Sequence, residues 1–178
     1  MTRGRWMALA TLAASACSLV HERAAEPGPI SRPGGEGGAL LYTVGRLTFQ
    51  APAAWEAKGD PRRVLLTSPD GASRIDAQLG EKAFADDTSC LAQAQDALAK
   101  GESKLQNVRR HPTTVAGRKA VVQEADDPRG WHGWAWALCD GGEQYRVFFT
   151  GRSPIDAQGL EVARLLPTTA TLATRPGA

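Results

Sequence analysis

Apolar and polar residues alternate along several short stretches of this 178-residue chain, and that alternation predicts strands. Leu47, Phe49 and Ala51 interleave with Arg46, Thr48 and Gln50, a two-residue period that Pro52 ends. Val64–Thr67 reads as a second strand. Ser68-Pro69-Asp70-Gly71 supplies turn residues, and Ser73, Ile75, Ala77 and Leu79 then alternate with Arg74, Asp76 and Gln78 as the return strand of a hairpin. The period changes next. Leu91, Ala94 and Leu98 recur at helical spacing behind Asp87, Thr88 and Ser89, each suited to an N-cap, and Lys100-Gly101 suits the C-terminal end. Asn107–Val115 and Lys119–Ala125 flank an Ala116-Gly117 turn, and Trp131–Cys139 faces Gln144–Thr150 across Asp140-Gly141-Gly142. Ser153 is placed to cap a closing helix with Pro154 at its first position; Ile155, Val162, Leu165 and Leu166 would face the sheet, and Pro167 would end it. This order predicts an α+β domain, a largely antiparallel sheet of about six or seven strands with helices packed on it.

The predicted domain spans 39–166, and 167–178 reads as a C-terminal tail. Ahead of the domain, Glu26–Gly38 (EPGPISRPGGEGG) is dominated by proline and glycine and predicts a flexible tether. The start of the chain has the layout of an export signal over 1–16: Arg3 and Arg5, uncharged Trp6–Leu12, then Ala14-Ser15-Ala16. Trp6–Ala16 is shorter than the roughly 20 apolar residues a spanning helix needs. Cleavage before Cys17 would leave a cysteine at the mature N-terminus, as in bacterial lipoproteins, with Ala14 standing where leucine is usual. The expected location is then membrane-anchored in a bacterial envelope, on its periplasmic or cell-surface face. The alternative is ordinary cleavage at the same small residues, giving a soluble secreted or periplasmic protein.

Cysteine usage favours lipidation. Three cysteines are an awkward count for an exported chain. With Cys17 carrying lipid, Cys90 and Cys139 can form one disulfide, stapling the first helix to the sheet; the bland alternative is two small buried hydrophobes. Closing a loop of about fifty residues would contribute roughly 3–4 kcal/mol.

Charge excludes one class of partner. The chain carries a net +2, and Arg3 and Arg5 account for both units, so the mature protein is close to neutral and lacks an electrostatic footprint for nucleic acid. No G-x-S-x-G, H-E-x-x-H, C-x-x-C or glycine-rich phosphate loop is present, and no cofactor or metal is implied. Asp126-Asp127 reads as a solvated turn, with a weak calcium site as its functional alternative. The candidate chemistry concentrates in Trp131-His132-Gly133-Trp134-Ala135-Trp136. On a strand, His132, Trp134 and Trp136 share one face, which reads either as core packing under the second helix or as an aromatic platform for a ligand or partner. The opposite face is small beyond Trp131 and would admit a helix closely.

The segments LTFQAPAAW, VLLTSPDGASRIDAQ and TTVAGRKAVVQE, in this order of elements, resemble the PsbP-like α/β sandwich over most of 39–166. Phe49, Pro52 and Trp55 match a Phe-x-x-Pro-x-x-Trp-like beginning and would be core residues; Val115, Gly117 and Arg118 match a Val-x-Gly-Arg turn. The resemblance implies a binding or assembly module and carries over no active site. The resulting expectation is a non-enzymatic envelope lipoprotein with a protein partner. The competing expectation is an exported enzyme or a small-ligand or glycan binder using the Trp134/Trp136 face.

Overall fold

The protein is described by a computed structural model covering residues 30–34 and 38–175. The expected signal and Cys17 lie outside the described residues. The first half runs β1 (Ile30–Pro33), β2 (Ala39–Val44), β3 (Leu47–Pro52), β4 (Glu56–Asp60), β5 (Arg63–Thr67), β6 (Ser73–Ala83) and α1 (Asp87–Gly101). After a short 3-10 turn come β7 (Gln106–Val115), β8 (Arg118–Asp127), β9 (Trp131–Asp140), β10 (Glu143–Arg152), α2 (Ala157–Thr169) and β11 (Thr171–Leu172).

Two sheets form a sandwich, and every strand pairing is antiparallel. The larger has the order β4-β5-β6-β10-β9-β8-β7 and the smaller β1-β2-β3-β11. The alternation expected along the hairpins is what joins them. Val64, Leu66, Ile75, Ala77, Leu138, Tyr145 and Phe149 from the large sheet are buried against Tyr42, Val44, Leu47 and Phe49 from the small one. Val162, Ala163 and Leu166 of α2 close the same core. Trp55 is interior at 4% exposure beside Phe49, while Pro52 is half-buried at the end of β3. α1 packs on the opposite face of the large sheet, against β8, β9 and β10.

Several elements differ from the sequence expectation. The expected tether contains β1, whose Ile30–Pro33 pairs with Leu40–Thr43. An edge strand needs only backbone bonds to one neighbour, and it tolerates proline, so it carries little apolar signal. β4 is another edge, with the polar sequence Glu-Ala-Lys-Gly-Asp, and the expected tail contributes the last turn of α2 and β11, which pairs with Leu47-Thr48. The cap of α1 is Asp86 rather than the three residues after it: its carboxylate accepts from the Ser89 amide at 2.7 Å, and Ser89 Oγ completes a capping box. α2 is likewise capped by Asp156, not Ser153, with the Gly159 amide donating to Asp156 at 2.7 Å. Pro167 does not stop α2. The hydroxyls of Thr168 and Thr169 donate back to the Arg164 and Leu165 carbonyls, tying down the final turn.

An ionic network ties the β2–β3 turn to the β9–β10 turn. Arg46 Nη2 lies 2.6 Å from the Asp140 carboxylate and 3.0 Å from that of Glu143, and Arg118 Nε meets the other Asp140 oxygen at 2.7 Å. Tyr145 donates its hydroxyl to Glu143 at 2.9 Å. Burial pushes the Glu143 carboxyl pKa up, but the hydrogen bonds from Arg46 and Tyr145 outweigh it and hold the group below its ordinary value.

Candidate functional site

The β9 strand divides its residues between two environments. On the core side, Trp136 is 6% exposed and Leu138 is fully buried. Trp134 packs partly against the same core, with its ring 6.0 Å from Phe149. His132 stands edge-on to Trp134 at 4.5 Å. Its Nδ1 lies 2.6 Å from Asp126 and its Nε2 3.3 Å from Glu124, so both ring nitrogens are engaged on neighbouring β8. Asp126 is held below the ordinary carboxylate range first by a hydrogen bond from Asn107 and then by His132. The face read either as core packing or as an aromatic platform is thus buried at Trp136 and Leu138 and half-buried at His132 and Trp134. Among the described residues, no group of three or more His, Cys, Asp and Glu side chains is placed to hold a metal ion.

The other side of β9 carries Trp131, Gly133, Ala135, Ala137 and Cys139, and here the small residues do admit a helix. Cys139 is disulfide-bonded to Cys90 of α1, with 6.1 Å between Cα atoms. Ala94 packs on Val121 and Ala137, flanked by Leu91 and Leu98. The helix begins at the Cys139 end of the strand. Its 15 residues span about 22 Å, against about 33 Å for the ten of β9, so it runs out before the strand does.

An open groove of about 500 Å³ occupies the remainder. Its floor is Gly133 and Ala135 of β9, Ala125 of β8 and Phe148 of β10; one wall is the C-terminal part of α1 at Ala97 and Leu98, continued by Leu105. The floor is flat for a steric reason. A Cβ at Gly133 would stand 2.6 Å from the Phe149 carbonyl oxygen and 2.9 Å from Thr150 Cγ2, so any side chain would have to displace backbone.

The charge in the groove is mainly arginine. Arg146, on the same face of β10 as Phe148, donates from Nη2 to Gln78 Oε1 at 3.3 Å, while its Nε is buried with no partner. At the far end, Arg74 and Arg152 each stand 5.6 Å from the centre of the Trp131 ring. Asp127 and Arg129 also line the groove but neutralise one another; the Arg129 side chain, with its own amide, holds the Asp127 carboxyl down at about 2. The sequence reading named part of this border and not the α1 side of the groove. His132 and Trp134 border the groove, and Trp136 does not.

No family model matches the chain, and no curated protein matches it. Among solved structures, cyanobacterial PsbP from Synechocystis sp. PCC 6803 is similar with a TM-score of 0.55 and 11% identity, over 80% of this chain and 98% of that one. A Bacteroides thetaiotaomicron VPI-5482 structure gives a TM-score of 0.46 and 12% identity, over 75% of this chain and 47% of that one, too distant to argue from. At such identities the likeness concerns fold alone. With its two antiparallel sheets and two helices, the domain has a PsbP-like fold.

Proposed function

We propose that the mature chain is a non-enzymatic binding module of a bacterial envelope, anchored by lipid on Cys17, whose ligand-binding surface is the groove beside α1. The groove itself carries this reading. Its volume of about 500 Å³ is within the range of small-molecule sites, and it combines an apolar floor with a few polar groups, as such sites do. Its arginines and Asp127 suit binding rather than proton transfer. Arginine stays protonated at any working pH, and Asp127, held at about 2, stays ionised. The Cys90–Cys139 disulfide supports an oxidising compartment, in keeping with the export-like start of the sequence.

Anchoring is tested on the full chain expressed in a bacterial host. The wild type is expected in the detergent phase after detergent-phase partition and Cys17→Ala in the aqueous phase, because several acyl chains hold a protein at a membrane stably. A wild type already in the aqueous phase would remove the anchor from this reading.

A further inference from the structure

We propose that the groove recognises a small aromatic carboxylate, its anionic head on Arg146 and its flat body over Gly133, Ala135 and Phe148. The inference rests on the groove being the binding surface and adds the chemistry of what fills it. Arg146 is the deciding residue. It sits on β10, in the middle of the seven-stranded sheet, on the α1 face between Gln144 and Phe148. Among the described residues no carboxylate pairs with it. Its one hydrogen bond is to the neutral Gln78 amide, and its buried Nε has no acceptor. A guanidinium left short of acceptors at the edge of an apolar cleft is poorly satisfied alone and well suited to a carboxylate, whose two oxygens match its donors in one plane.

The body of the ligand follows from what lies next to that cation. Residues two apart on β10 share a face, so Phe148 comes directly after Arg146, and it pairs with Ala135 of β9. The glycine at 133 continues the flat surface. A planar ring can lie over Gly133 and Ala135 against Phe148, with Leu98 as the side wall and Gln123 and Thr150 at its margins. Trp131, with Arg74 and Arg152 beside its ring, closes the far end about six strand residues, or roughly 20 Å, from Arg146.

The test uses 2-naphthoate and its uncharged counterpart 2-naphthamide, titrated calorimetrically into the full chain in detergent. We expect 2-naphthoate to bind one site per chain, about tenfold or more tighter than the amide, with an affinity that falls as salt rises. Arg146→Gln should weaken the acid at least tenfold and abolish most of its preference over the amide. Arg74→Gln, at the exposed far end, should alter the acid about twofold or less. Equal binding of acid and amide by the wild type, which needs no substitution, overturns anion recognition while leaving the groove as a binding surface. A loss at Arg74→Gln as large as at Arg146→Gln overturns the placement of the head. Binding of neither compound overturns the ligand class and the small-molecule reading of the groove together.

Discussion

The double substitution Cys90→Ala/Cys139→Ala is expected to lower the free energy of unfolding by about 4 kcal/mol relative to the oxidised protein. The bridge joins residues 49 apart, and the enclosed chain holds most of α1, all of β7 and β8 and most of β9. In the unfolded protein that loop is free once the bridge is gone, which is where most of the stabilisation arises in the loop-closure account. Alanine is the right replacement, since both positions are almost fully buried and a hydroxyl there would lack partners. Guanidinium unfolding of the two proteins measures the difference, and a loss below about 1 kcal/mol would contradict a stabilising bridge. The effect extends to the groove. Without the bridge, α1 is held mainly by Ala94, Leu91 and Leu98, and its C-terminal half is the groove wall.

Arg46→Ala is the second large loss, about 3 kcal/mol, at the low end for breaking a buried ion pair because both partners keep some access to water. The Arg46 and Asp140 side chains are only 16% and 12% exposed, and Arg46 also donates to the Asp140 and Ala173 carbonyls. Removing it leaves two carboxylates close together with one cation fewer. The network also sets an acid limit. The pKa of Glu143 is lowered in the folded protein, so its contribution is complete above its ordinary value of 4.5 and is lost as pH falls through the depressed folded value. Denaturant unfolding from pH 7 to about 3 should therefore show stability declining at the acid end, less steeply in Arg46→Ala. A variant within about 0.5 kcal/mol of wild type at pH 7 would show that the network contributes little.

Much of the fold could be read locally, and the parts that could not share a physical cause. The β5–β6 and β9–β10 hairpins announced themselves through their turn residues, with strict alternation along β6. The cysteine pair was legible from strand parity, which put Cys139 on the small face of β9 where a helix could meet it. Edge elements escaped because β4 and β11 bury almost nothing: Glu56, Lys58 and Asp60 need only backbone partners. Helix starts moved by one to three residues because aspartate at 86 or 156 competes with nearby Ser and Thr for the same amide hydrogen bonds, and local pattern does not rank them.

The groove was hidden for a different reason. Tryptophans at 134 and 136 are the conspicuous residues of β9; Trp136 is buried in the core, and Trp134 packs partly against it while bordering the groove. Arg146 looks like an ordinary polar position in Gln-Tyr-Arg-Val until β10 is known to lie between β6 and β9. That pairing joins residues nearly seventy positions apart, as Arg146 with Gln78, and nothing in the local period encodes it. Once the strand order is known, Arg146 is placed on the α1 face of a central strand, beside Gln78.

The most direct test of that groove as the binding surface is photocrosslinking in the intact envelope of the producing cell. A benzophenone amino acid is placed at Ala97, exposed on the groove wall, or at Leu160, exposed on α2 across the molecule. The account predicts a discrete adduct from position 97, suppressed by added 2-naphthoate, and none from position 160. An adduct from position 160 with none from 97, or no adduct at either, would contradict it.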